Sequence, residues 1–235
     1  MSLLYKEVMK LLKKYPDVLY GVTDLTYCEY RKTYKRALVL AVPHANMMSL
    51  TGYDEEKFEE LICDARRVID DILDEMEEIL TRSRITYYIP PVGQNTEATL
   101  AAPFSFKYAA TKAGIGWVGK NDLLITSKYG PRVRLAAVLV DDEWPVSEMV
   151  TESRCPKDCH LCVDACPCKA ITGREWGEGV NRIELIDYKR CNQERSHYIK
   201  IHGRKNACGL CMVNCPIGLK QDAQELVLMG QKEEE

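Results

Sequence analysis

The sequence predicts a mixed α+β or α/β chain in two parts, and three observations carry that expectation. Strand-like and helix-like segments alternate over residues 1–150, the pattern of an α/β sandwich. From Thr151 to about residue 225 the composition changes. Nine of the eleven cysteines fall there among few long apolar side chains, so this part is expected to be a small domain stabilised by what its cysteines bind. Residues 226–235 end in an acidic run and are expected to form a tail. The first 150 residues suffice to bury a core of their own. With 46% hydrophobic and 29% charged residues, the whole has ordinary globular composition.

The elements follow in order. Ser2 can cap a helix to about Lys14 that puts Leu4, Val8, Leu11 and Leu12 on one face. Ala37 to Val42 is a short apolar run closed by Pro43, which predicts a buried central strand. Asp54 to Arg82 keeps the helical period through Phe58, Ile62, Ala65, Ile69, Ile72, Met76 and Leu80. Ile85 to Ile89 reads as a strand ended by Pro90-Pro91, and Pro103 as the start of a helix to Ala113. Leu123 to Thr126 and Val133 to Val140 read as two strands joined through Gly130-Pro131, and 141–153 as a linker.

The cysteines carry the chemistry. Cys-x2-Cys-x3-Cys-Pro occurs at Cys159, Cys162, Cys166 and Pro167, and again at Cys208, Cys211, Cys215 and Pro216, each with one cysteine upstream, Cys155 and Cys191. Eight thiolates in this pattern resemble a bacterial-type ferredoxin module with two [4Fe–4S] clusters, in which the last cysteine of each run serves the other cluster. That rule assigns Cys155, Cys159, Cys162 and Cys215 to one cluster, and Cys191, Cys208, Cys211 and Cys166 to the other. Structural zinc also uses Cys-x2-Cys pairs, but the doubled Cys-x3-Cys-Pro tail is not a zinc requirement. Met1 to Tyr15 reads as an amphipathic helix rather than a secretory leader, and no apolar run is long enough to span a membrane. A cytoplasmic, reducing location is therefore expected, where such cysteines bind metal instead of pairing as disulfides.

Gly114-Ile-Gly-Trp-Val-Gly-Lys-Asn121, then Asp122-Leu-Leu-Ile-Thr126, Arg134-Leu-Ala-Ala-Val-Leu139 and the doubled cysteine motif, resembles the epoxyqueuosine reductase family, which is related to the reductive dehalogenases. The resemblance covers roughly residues 35 to 220. It implies a nitroreductase-like α/β sandwich domain holding cobalamin against a ferredoxin-like domain with two [4Fe–4S] clusters. Gly114, Gly116, Trp117, Gly119, Lys120 and Asn121 would lie near the corrin, the glycines permitting close backbone approach. Three departures qualify the carry-over. Three residues, where the family has two, separate Cys155 from Cys159. Leu100 stands where the family carries a proton-donating aspartate. The helical-repeat extension of the tRNA-handling enzymes does not follow the clusters, so tRNA epoxyqueuosine is not the expected substrate.

The leading expectation is a redox protein whose two clusters relay electrons to a cobalamin for reduction of an unknown substrate. Its alternatives are a non-catalytic electron carrier and a reductive activator of a corrinoid protein. The expected partner is an electron-donor protein; neither a membrane nor a specific nucleic acid is expected. Arg182, Lys189, Arg190, Arg195, Lys200, Arg204 and Lys205 outnumber the acids around them although the chain's formal net charge is −3, so this stretch reads as a solvated face shielding anionic clusters or as a dock for an anionic partner. Cys168 in Cys-Pro-Cys reads as a bystander or a competitor of Cys166. Cys28 has no partner pattern and Cys63 reads as a packed helix residue. Trp117 is expected to stack on a corrin or to pack, and His44 to meet a ligand or to be satisfied by backbone.

Overall fold

The computed structural model describes residues 2–92, 104–203 and 208–220. Its contacts divide the chain into two compact units that interleave in sequence. One unit is Met1–Pro43, Ala65–Ile115 and Arg134–Val150; the other is His44–Asp64, Gly116–Val133 and Thr151–Glu235. The expected boundary at 150 is one of the crossing points, but two segments from before it group with the cysteines.

The first unit is built on a four-stranded sheet in the order β1-β2-β6-β3, from β1 (Leu19–Asp24), β2 (Arg36–Pro43), β3 (Tyr87–Tyr88) and β6 (Val133–Val140). β1 pairs with β2 and β3 with β6, both antiparallel. Hydrogen bonds from Lys35 N–H to Val140 O and from His44 N–H to Arg132 O bracket β2 against β6 in the same antiparallel sense. The strands thus alternate with helices in sequence without forming the parallel sheet that such alternation often builds. Leu38, Leu40 and Val42 face one side and pack with Leu4, Val8, Leu11 and Leu12 of α1 (Leu3–Leu12) and Ala65, Ile69, Ile72, Met76 and Leu80 of α2 (Glu55–Arg82). The alternate residues Ala37, Val39 and Ala41 are equally buried, and α3 (Phe106–Lys112) packs against β1 and β2. At Gly21 a Cβ would lie 2.0 Å from the Ala113 carbonyl, so only glycine lets β1 and the end of α3 come this close. Ser2 caps α1 by accepting from Tyr5 N–H and donates its own hydroxyl to Asp142 at 2.6 Å, while Asp142 also takes the Trp144 indole N–H at 2.8 Å. β1 had no sequence signal strong enough to be expected. The expected start of α3 at Pro103 lies outside the described residues.

The second unit has little regular structure. A short hairpin pairs β4 (Trp117–Val118) with β5 (Leu124–Ile125), and around it lie α4 (Leu161–Asp164), α5 (Arg182–Leu185), α6 (Tyr188–Arg195), α7 (Tyr198–His202) and α8 (Leu210–Val213). Leu123 to Thr126 is therefore a hairpin partner of Trp117-Val118 and joins a different sheet from Val133–Val140. Phe58 and Ile62 from the first turns of α2 pack with Met212 and Val213 of α8. Among the described residues no helix is long and apolar enough to cross a membrane.

Candidate metal centre

The two cysteine runs fold alike. In each, a residue with unfavourable helix dihedrals (His160, then Gly209 in the left-handed region) opens a single turn of helix, α4 or α8, that carries the middle cysteine, Cys162 or Cys211. A proline then follows the last cysteine and ends the turn. α4 and α8 pack on each other, and Asn214, 3% exposed, donates its amide to Leu161 O at 2.6 Å to tie the second run to the first. Gly209 is needed twice: its φ is +53°, and a Cβ there would lie 2.0 Å from the Phe58 ring.

This packing brings distant cysteines together. Cys155, Cys159, Cys162 and Cys215 line one cavity with about 370 Å³ of atom-free space, part of it open solvent. Burial, and then the thiols of Cys215, Cys159 and Cys155, push the Cys162 thiol up to about 12. Burial raises Cys215 to about 11, opposed by the Ile217 N–H and Arg132 and reinforced by Cys155 and Cys159. The other four form a second set. Cys211 is raised well above the usual thiol range by burial and by Cys208, Cys162, Cys191 and Cys166. Burial also raises Cys191 and Cys208, each of which feels Cys166, while Arg195 acts against the rise at both. Cys168 lies beside this set, its sulfur 3.7 Å from that of Cys166. No disulfide joins any of the eleven cysteines.

Such sets fit a cation-rich cluster. Buried thiols crowded against one another resist deprotonation until positive charge enters among them. The four thiols of the first set spread around the wall of a cavity.

Two cations grip the loops on either side of that cavity. The turn closing the β4–β5 hairpin, with Gly119 N–H on Leu123 O and Asp122 N–H on Gly119 O, puts Lys120 and Asn121 at its tip. Lys120, 3% exposed, donates to the carbonyls of Pro156, Lys157 and Cys159 at 3.0, 2.7 and 3.1 Å. Asn121 donates to Cys211 O at 3.1 Å and accepts from Leu123 N–H. Arg132, 1% exposed, reaches the carbonyls of Met48, Ile217, Val213 and Cys215 at 2.7, 3.2, 3.0 and 2.8 Å. Desolvation pulls its pKa down to about 10, with the Cys215 thiolate acting against the fall. Tyr53 adds a hydroxyl bond to Cys208 O at 2.8 Å. Arg132 and Tyr53 had no motif to mark them in the sequence.

The residues expected to face a corrin are used otherwise. Lys120 and Asn121 hold cysteine loops. A Cβ on Gly116 would sit 2.1 Å from Ile125 O and one on Gly119 2.7 Å from the Ile125 side chain, so these glycines accommodate their own hairpin. Gly114 is left-handed, φ +72°, with Glu148 O at 2.5 Å from where a Cβ would stand. Trp117 is 4% exposed with the Arg154 guanidinium over its ring at 5.8 Å, a packed position. The chain itself thus fills the Cβ side of these glycines and takes the polar atoms of Lys120 and Asn121, while the Trp117 indole N–H is buried without a partner among the described residues. His44 is buried, its ring 6.0 Å from that of Phe58. In the basic stretch Arg182 pairs with Asp122 at 3.0 Å and stacks 3.6 Å over Tyr188, and His202 contacts Glu55 at 2.6 Å, so part of its charge is structural. Leu100, Arg204 and Lys205 lie outside the described residues.

No protein-family model matches the chain. It is 30% identical over 123 residues to the epoxyqueuosine reductase of a Synechococcus species, covering 49% of this chain and 35% of that one. It is 38% identical over 130 residues to the tetrachloroethene reductive dehalogenase of Dehalobacter restrictus, covering 54% of this chain and 21% of that one. The chain thus spans about a third or less of the length of these curated relatives. The solved structure of a reductive dehalogenase, studied for B12-dependent dehalogenation, shares the fold at a TM-score of 0.59 and 17% identity, covering 90% of this chain and 31% of that one. The chain is therefore similar to the epoxyqueuosine reductases and reductive dehalogenases in sequence over about half its length, and to a reductive dehalogenase in fold over most of it.

Proposed function

We propose that the chain is an iron–sulfur redox protein that carries two [4Fe–4S] clusters and passes electrons to the reaction centre of a reductive enzyme. One cluster is assigned to Cys155, Cys159, Cys162 and Cys215, the other to Cys191, Cys208, Cys211 and Cys166. The observation that carries this is the cavity lined by three cysteines of the first run and the last cysteine of the second. Bound there, such clusters take up and release single electrons. The chain's residues do the rest. The eight thiols hold them; Lys120, Arg132 and Asn121 fix the loops that present those thiols. Leu161, Ile217 and Ile125 give the first cavity part of its apolar lining.

The dehalogenase of like fold is B12-dependent, which makes a corrinoid the electron acceptor to test. Gly114 to Asn121 are spent within the chain, so no wall for it is assigned there and no step is routed through it. The test is anaerobic reconstitution of the full chain with iron and sulfide. About eight irons and eight labile sulfides per chain are expected; stoichiometric zinc in their place would end this reading. Titration of that holoprotein with cobalamin then separates a corrinoid enzyme from an electron carrier. Saturable binding at tens of micromolar, about 6 kcal/mol, marks the first, and its absence the second.

A further inference from the structure

Among the described residues the two buried cations have no buried carboxylate partner. Lys120 spends its bonds on three neutral carbonyls, and its one carboxylate neighbour, Glu175, is 3.9 Å away with 45% of its side chain exposed. Arg132 spends its bonds on four neutral carbonyls. Burying a charge without an ionic partner is costly unless an anion completes the site. The groups that can supply one are the thiols of the adjoining cavity: Lys120 lines it, and Arg132 holds the carbonyl of Cys215, which also lines it. The cations also divide the work. Lys120 grips the 156–159 loop on the side of the first run, and Arg132 grips 213–217 on the side of the second. Among the described residues, the arginines that act on the second thiol set are less buried: Arg182, 36% exposed at the side chain and bonded to Asp122, and Arg195, which is half-buried.

We propose that Lys120 and Arg132 raise the reduction potential of the cluster held by Cys155, Cys159, Cys162 and Cys215 above that of its neighbour, so that this cluster is where an arriving electron rests. The inference builds on the two-cluster reading. Reduction adds one electron and one negative charge to a cluster and oxidises the donor by one electron. A fixed positive charge in a poorly screened interior favours the reduced form, and the effect falls off where solvent reaches. Potentials of such clusters respond to net charge, hydrogen bonding and exposure. Lys120 and Arg132 are thus positioning residues that act through the loops and through their charge.

The experiment is a potentiometric titration of the reconstituted holoprotein followed by electron paramagnetic resonance. Lys120→Gln keeps hydrogen-bond donors and removes the charge. It is expected to lower one of the two midpoints by a factor of ten or more in the reduction equilibrium, 59 mV for one electron, and to leave the other unchanged. Lys120→Arg is expected to return the midpoint toward that of the native protein. Two midpoints unmoved in Lys120→Gln at full iron content overturn the proposal. Should that variant fail to assemble, Cys215→Ser decides instead. Its surviving cluster must have the lower of the two native midpoints; survival of the higher one overturns the proposal. Absence of clusters in the native protein would overturn the two-cluster reading itself, a different outcome.

Discussion

Cys215→Ser tests the crossed assignment most directly. The substitution exchanges one sulfur for an oxygen and leaves the backbone carbonyl that Arg132 holds at 2.8 Å, so the fold around it should stand. Cys215 lies in the same run as Cys208 and Cys211, yet it lines the cavity of Cys155, Cys159 and Cys162. Loss of its thiolate should therefore empty that cavity and spare the other set, taking iron from about eight to about four per chain. The location of the loss follows from combination. Cys159→Ser removes a thiol of the same cavity, so the Cys215/Cys159 double variant should still hold about four irons, a fully non-additive pair. Cys208→Ser removes a thiol of the other set, so the Cys215/Cys208 double variant should approach zero. Iron and labile-sulfide analysis of these five variants and the native protein after anaerobic reconstitution supplies the numbers. The opposite pattern, near zero for Cys215/Cys159 and about four for Cys215/Cys208, would show that each run closes its own cluster and would refute the crossed geometry.

Three further outcomes are expected. Cys168→Ser should retain about eight irons and Cys166→Ser about four; full iron in Cys166→Ser would mean that Cys168, 3.7 Å away, takes its place. Gly116→Val drives a Cβ to 2.1 Å from Ile125 O and should open the Trp117–Ile125 pairing, costing about 3 kcal/mol and lowering Tm by roughly 10 °C in thermal melts; an unchanged Tm would show that the hairpin has room there. Asp142→Asn tests a pH-dependent tie. Burial tends to raise the Asp142 pKa, but hydrogen bonds from Ser2 and Trp144 outweigh it and hold it below the usual carboxylate value. A lowered folded-state value means that the stabilisation is present above about pH 4 and is lost as pH falls through that lower value. Asn should therefore reduce stability at pH 7, by less than about 1 kcal/mol at this half-buried site, and the melting temperatures of the two proteins should converge as pH falls below that lowered value; a constant gap would show that the carboxylate charge is not what matters.

Much of the architecture was legible in the residues themselves. The helical period from Phe58 to Leu80 and the apolar run Ala37 to Val42 specify α2 and β2 because each pattern has one face, or two, that only a core can accept. The doubled Cys-x2-Cys-x3-Cys-Pro marked the cysteines that gather, since short loops with a terminal proline have few conformations. β1 was missed because Tyr20, Gly21, Thr23 and Asp24 give it no apolar alternation, and it is held by pairing with β2. The glycines of 114–121 are ambiguous in sequence for a related reason. A glycine-rich loop signals close approach, but the approaching group can be a ligand or the chain's own backbone, and here Ile125 O is that group.

What the sequence determined by itself is the set of candidate donors: eight sulfurs of suitable spacing, in a chain with enough apolar residues to fold around them. Which charges surround those sulfurs, only the tertiary structure decided. Lys120 lies 35 residues or more before the loop whose carbonyls it binds, and Arg132 more than 80 from those it reaches at 213–217. No local period records such partnerships, because side-chain identity fixes what a cation can bind and packing alone fixes which carbonyls stand within its reach.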